Sequence, residues 1–141
     1  MSEVKVTETV AAPAVRVWEV LGDFGGVLKW GGKMLQSCTV EGSGVGAVRR
    51  IGLPGGGEIV ERCEAYDAAG RSLSYAIVGK SPIPIRNYFS TVKVVEEGPN
   101  ACRVEWRGTF EPDGVPEAEA QGMVRGIYTG GIAGARKLLG V

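Results

Sequence analysis

The sequence predicts an α+β domain in which a curved antiparallel sheet of seven strands wraps a long C-terminal helix, with two short helices after the first strand. Two observations carry this. From residue 34 to residue 111 apolar and polar side chains alternate in six runs broken by turn residues. After Pro112-Asp113-Gly114 the apolar spacing lengthens to the helical period of about 3.6 residues. Consecutive strands with short connections form an antiparallel meander, and its apolar face must be buried against a second layer, here the last helix.

Each element follows from its residues. Val4, Val6, Glu8 and Val10 alternate with Glu3, Lys5, Thr7 and Thr9 as a first strand. Ala12-Pro13 opens a short helix, because proline suits a first turn, and Val17, Val20 and Leu21 give it an apolar stripe. Asp23 to Trp30 is a glycine-punctuated second helical piece or loop. The six later strands span 34–41, 46–53, 57–67, 71–79, 86–96 and 101–111, separated by glycine clusters, Ala68-Ala69-Gly70, Ser81-Pro82-Ile83-Pro84 and Gly98-Pro99-Asn100. In the last helix Ala120, Val124, Ile127, Gly131, Ala135 and Leu138 share one arc, far from Arg125 and Arg136. A length of 141 residues fits one domain, 1–141, able to bury a core without disulfides or metals.

Composition removes several function classes. Lys plus Arg equals Asp plus Glu at 16 each, so no global field recruits nucleic acid or an anionic membrane. No apolar run is long enough for a membrane span, and the N-terminal MSEVKVTETV lacks the basic and apolar regions of a signal peptide. Cys38, Cys63 and Cys102 are odd in number and share parity with apolar positions, which reads as buried thiols of a cytoplasmic protein. There is no histidine and no CxxC pair. That excludes Ser/His/Asp and Cys/His catalysis and leaves no expected metal or cofactor. The expected partner is a small hydrophobic, aromatic or amphipathic molecule.

Glycine is the outlier, at 23 of 141 residues against an average use of about 7%. Gly122, Gly126, Gly130 and Gly134 recur every four residues in the last helix, each costing roughly 0.5–1 kcal/mol against alanine. They read either as a close approach to another helix, as in a homodimer, or as a compositional bias in a monomer.

Strand parity picks out a site. Ile59, Glu61, Cys63 and Ala65 share one face, with Glu58, Arg62 and Glu64 on the other, so a carboxylate stands among inward apolar side chains. Such a carboxylate needs a partner, loses its charge, or faces a wet cavity. Arg49 aligns with Ala47, Ile51 and Leu53, and the turn at 55–57 brings its strand beside that of Glu61. Tyr88 aligns with Ser90 and Val92, Tyr75 with Leu73 and Ile77, Gln36 with Met34 and Cys38, and Trp106 and Phe110 with Cys102 and Val104. The concave face is therefore apolar and aromatic, with Gln36, Arg49, Glu61, Tyr75 and Tyr88 as its polar groups. A carboxylate, a guanidinium and a phenol can move a proton and stabilise an oxyanion, or orient a ligand without chemistry. A structural ion pair is the third possibility.

The runs Val45 to Arg49, Glu61 to Asp67, Ser72 to Tyr75 and Asn87 to Val92, with Ala12-Pro13 to Trp18 and Asp23-Phe24, resemble the polyketide cyclase/dehydrase branch of the START-like, birch-pollen-allergen-like superfamily. The resemblance implies a helix-grip fold and a cavity for a hydrophobic ligand, with no cofactor. Within it the chain is similar to the lachrymatory-factor synthase group, whose implicated catalytic Arg, Glu and Tyr fall on Arg49, Glu61 and Tyr88. It is also similar to the PYR/PYL receptors, where the matching Glu and Tyr belong to a polar network around the ligand. That second likeness places Leu53 and Pro54 in a gate loop and Met123, Ile127 and Gly131 at ligand-facing helix positions. Gln36 stands where the receptors carry a ligand-binding lysine, and Ile83-Pro84-Ile85 replaces their His-Arg-Leu latch. The implied activities are binding of a small hydrophobic or aromatic molecule between sheet and helix, or a cofactor-free lyase, cyclase or dehydratase using Glu61 as general acid/base. A third possibility is an interaction module whose ligand-gated loops at 52–57 and 81–86 bind another protein.

Overall fold

The computed structural model describes residues 1–141. Its elements are β1 (Ser2–Val10), α1 (Ala14–Leu21), α2 (Val27–Gly31), a 3-10 turn at Gly32–Met34, β2 (Ser37–Glu41), β3 (Val48–Gly52), β4 (Glu58–Asp67), β5 (Ser72–Ile77), β6 (Ile85–Gly98), β7 (Ala101–Pro112) and α3 (Glu117–Leu139). The seven strands form one antiparallel sheet in the order β1-β7-β6-β5-β4-β3-β2. The meander runs from β2 to β7, and β1 completes the sheet along β7, with Val6 opposite Trp106 and Val10 opposite Cys102. Alternation puts Val4, Val6 and Val10 inward with Val104, Trp106 and Phe110, in one core cluster of 26 buried residues.

Helix α3 closes the concave side. Glu117 and Glu119 lie in its first turn and Arg136 and Lys137 in its last, as the helix dipole favours. Gly140 takes the left-handed C-terminal position (φ 74°), and its N–H caps the carbonyls of Arg136 and Lys137. Arg136 also bonds the Glu8 carboxylate at 2.6 Å and the Thr9 carbonyl at 2.7 Å, tying the helix end to β1.

The buried stripe of α3 is Ala120, Val124, Tyr128, Gly131, Ile132 and Ala135. It is rotated from the arc expected from the sequence. Leu138 and Met123 are exposed, and Ile127 is half-buried at the margin. The cause is Tyr128, whose phenol finds hydrogen-bond partners inside and so draws its whole side chain into the core. Of the periodic glycines, Gly122, Gly126 and Gly130 have nothing within van der Waals reach, whereas a Cβ at Gly134 would strike the Trp30 backbone. Close approach of another helix is therefore real at Gly134, and the helix is α2 of the same chain.

Two β-bulges decide which side chains face inward. In β4 the register shifts between Cys63, opposite Tyr75, and Ala65, opposite Ser74. One extra residue there reverses the parity: Ala65, expected inside, is exposed, and Tyr66 now pairs with Leu73 and swings against Trp18 at 5.7 Å between ring centroids. In β6 the shift lies between Arg86 and Phe89, where Asn87 adopts a left-handed conformation (φ 54°) that asparagine tolerates. That bulge allows Ile85 and Tyr88, three positions apart, both to be buried.

Candidate functional site

Arg49 and Glu61 face each other directly across β3 and β4. The Arg49 Nε group donates to Glu61 Oε1 at 2.9 Å, Nη2 lies 2.7 Å from the same oxygen as an ion pair, and Nη1 donates to the Phe24 carbonyl at 2.9 Å. The guanidinium is sandwiched between the rings of Phe24 (4.4 Å) and Tyr75 (4.6 Å). Only 4% of the Arg49 side chain and 8% of that of Glu61 are exposed. Burial is the largest influence on Arg49 and works against its charge, but the charge and hydrogen bond of the adjacent Glu61 carboxylate oppose it, and the guanidinium is held above its ordinary value. Glu61 is the one carboxylate among the buried residues, and its Oε2 receives no hydrogen bond from the protein.

A second polar cluster lies one strand pair further along the sheet. Trp106 donates its indole N–H to Tyr75 Oη at 3.1 Å, Tyr128 donates to Ser90 Oγ at 2.9 Å, and the hydroxyls of Tyr88 and Tyr128 are 2.6 Å apart. Burial raises the phenols of Tyr75, Tyr88 and Tyr128 above the ordinary tyrosine value, so all three are neutral hydroxyls at physiological pH. Gly108 makes the cluster possible, since a Cβ there would collide with Tyr128 Oη.

The facing side chains are large, and they fill the centre between sheet and helix. Trp106 stacks on Tyr128 (5.0 Å, 10°) and meets Trp30 edge-on (5.4 Å, 72°). Ligand-sized space opens at the end of this layer instead. A mouth of about 310 Å³ is lined by Ile77, Ile85 and Tyr88 together with Gly79, Lys80, Ser81, Arg86, Asn87 and Asp113, so its wall is more polar than apolar. Arg86 is held by Glu111 at 3.0 Å and Asp113 at 3.9 Å, and Asn87 donates to Glu111 at 2.9 Å. Ile77 is the cross-strand partner of Glu61, so the ion pair adjoins the mouth. The loops at 53–57 and 78–84 meet beside it: a Cβ on Gly57 would lie 3.8 Å from Pro82 Cβ.

A seven-stranded sheet gripping a C-terminal helix is shared with solved structures, and a family model described as polyketide cyclase / dehydrase and lipid transport matches residues 1–140. The chain belongs to this family. As a polyketide cyclase/dehydrase domain of the START-like, birch-pollen-allergen-like superfamily, it is similar to MLP-like protein 423 of Arabidopsis thaliana, 29% identical over 110 residues that cover 72% of this chain and 71% of that protein. It is similar in structure to the protein XoxI from Bacillus cereus, at TM-score 0.87 and 30% identity over 97% of this chain and 94% of the other. Norcoclaurine synthase from Thalictrum flavum, solved with dopamine and hydroxybenzaldehyde, shares the fold at TM-score 0.75 and 18% identity, covering 98% and 86% of the two chains.

Within this family frame the expected site residues separate into three groups. Arg49 contacts Glu61 and Tyr75, the Tyr75 ring lies 6.1 Å from that of Tyr88, and Ile85 joins Tyr88 at the mouth, with Ile83 half-buried beside the core. Leu53 and Pro54 lie in the loop that meets Pro82, half-buried and exposed respectively. The others do not line the mouth. Gln36 is exposed, because β2 begins only at Ser37 and residues 32–34 form a 3-10 turn, and Cys38 on that edge strand is only half-buried. Trp106 and Phe110 are wholly buried packing residues. Gly131 makes room for the rings of Trp106 and Trp30, and Met123 faces outward. Sequence reasoning missed Tyr128, Ser90 and Gly108. The available signal was a gap in the apolar series Cys102, Val104, Trp106, Phe110 at Gly108, opposite a helical tyrosine.

Proposed function

We propose that this domain binds a small hydrophobic or aromatic molecule at the Tyr88 end of the space between sheet and α3, with Arg49, Glu61 and Tyr88 orienting its polar end. The observation that carries this reading is Glu61 Oε2, a carboxylate oxygen that accepts no hydrogen bond from the protein, on a residue paired across the sheet with Ile77 of the mouth lining. A ligand hydroxyl or N–H donated to that oxygen would supply the missing bond. Arg49 is anchored by Glu61 and the Phe24 carbonyl, so its part is to fix the carboxylate. The neutral Tyr88 hydroxyl offers one further polar contact, and Ile77 and Ile85 receive the apolar body. The aromatic molecules held by norcoclaurine synthase are consistent with such a ligand class for the fold.

The test is a screen of aromatic and hydrophobic compounds by nuclear magnetic resonance. Saturable binding should shift Ile77, Ile85 and Tyr88, and Tyr88→Phe should weaken it by about 3- to 10-fold, as for one hydrogen bond. Hits that shift only residues away from the mouth would overturn the assignment. The same free oxygen favours one second reading, a cofactor-free lyase, cyclase or dehydratase with Glu61 as general acid/base. Bound compounds recovered chemically unchanged from the wild-type protein would remove that second reading and leave the first.

A further inference from the structure

A second cavity, of about 460 Å³, opens at the other end of β4, away from the mouth at Tyr88. It exists because of the β4 bulge, which turns Tyr66 over from the outer face so that its ring tilts against Trp18 of α1. Gly22 backs the indole so closely that no Cβ fits there, with ring atoms at 2.5 Å. Phe24 and the buried Cys63 are the other hydrophobic members of the lining, and burial holds the Cys63 thiol protonated. The charged groups of the lining are both carboxylates, Glu19 and Asp23, and no lysine or arginine joins them. Glu19 has no ion-pair partner, and Asp23 holds only the exposed Lys29 at 3.4 Å, an interaction worth little in water.

Aromatic faces attract cations through the ring quadrupole, and carboxylates at the same rim add charge complementarity. A neutral apolar ligand would gain nothing from Glu19 and Asp23, and an anion would be repelled. We propose that this outer cleft binds an organic ammonium ion, with the cationic head against Trp18 and Tyr66 and its charge balanced by Glu19 and Asp23. The site is separate from the mouth at Tyr88, although Phe24 connects them. That residue lines the cleft, while its ring and carbonyl hold Arg49.

The experiment compares choline with its uncharged carbon analogue, 3,3-dimethylbutan-1-ol, by titration monitored at the Trp18 indole N–H and the Tyr66 ring. Choline should saturate these resonances, and the neutral analogue should bind about tenfold more weakly or worse. Glu19→Gln and Tyr66→Ala alter exposed side chains, and each should weaken choline by about two- to fivefold while the amide spectrum keeps its dispersion. Co-sedimentation with phosphatidylcholine vesicles and not with phosphatidylglycerol vesicles would assign the cation to a lipid headgroup; titration by free choline without vesicle binding would assign a soluble amine. Equal affinity for the neutral analogue, choline shifts centred on Ile77, Ile85 and Tyr88, or no saturation would each overturn the proposal.

Discussion

The interior holds two polar clusters a few residues apart on the same sheet, and burial acts on them with opposite results. Around Arg49 and Glu61, desolvation is the largest influence on the guanidinium, yet the adjacent carboxylate keeps it charged. Around Tyr88, Tyr128 and Ser90, desolvation is again the largest influence, nothing opposes it strongly enough, and the phenols stay neutral. The difference lies in the counter-charge, which only the first cluster possesses. A charged pair is costly to break and leaves a strong hydrogen-bonding group in place for a ligand; a hydroxyl chain is cheaper to alter and offers weaker, switchable contacts.

Removing one member of the charged pair gives the largest expected effect. Glu61→Leu strands a buried guanidinium and should lower unfolding free energy by about 3–5 kcal/mol, measured by urea denaturation. The double variant Arg49→Met, Glu61→Leu removes both charges and should recover most of that loss, since a buried pair exchanged for packed apolar side chains is often neutral. The double variant also separates fold from function: it should be folded and unable to orient a ligand at the mouth. Retained ligand affinity in a folded double variant would reduce the pair to a structural ion bridge.

Intrusion on the hydroxyl cluster comes next. Gly108→Ala places a methyl group against Tyr128 Oη and 3.3 Å from a Tyr88 ring carbon, in contact with two side chains that the rest of the core fixes. The expected loss is about 1–3 kcal/mol from overpacking, read by thermal or urea unfolding. An unchanged midpoint would show that this cluster is loosely packed and can shift, in contrast to the rigidly held Arg49.

How much of this contrast was legible beforehand depends on where the pattern stayed regular. Arg49 and Glu61 lie on strands joined by a short glycine turn, so parity and turn length alone bring them face to face, and the structure pairs them in register. The six-stranded meander and the closing helix were equally readable from the periodicity. The bulges were not. One extra residue near Glu64 turns Ala65 outward and Tyr66 over, another near Asn87 lets Ile85 share the inner face with Tyr88, and nothing local announces them except an asparagine able to adopt a positive φ. Tyr128 was missed for a different reason. An apolar arc counts hydrophobic side chains, whereas tyrosine enters a core only when its hydroxyl has a partner, and Ser90 and Tyr88 are contributed by a strand about forty residues earlier.

Tyr128→Phe carries the smallest effect and sharpens the comparison most, because it separates hydrogen bonding from packing. The ring still stacks on Trp106, and the loss should be about 1 kcal/mol at neutral pH, the net worth of a typical hydrogen bond. Its signature is in alkali. Tyr75, Tyr88 and Tyr128 have folded values raised above an unfolded value near 10. Their contribution is therefore fully present below about pH 10 and is lost as pH rises beyond it, because the unfolded chain releases phenolic protons that the folded chain retains. Each such phenol adds a downward slope of about 1.4 kcal/mol per pH unit. Urea unfolding from pH 9 to 11.5 should show a shallower decline for Tyr128→Phe than for the wild type. Parallel curves would mean that Tyr128 ionises in the folded protein as freely as in the unfolded chain, and the contrast between a charged and an obligately neutral cluster would fail.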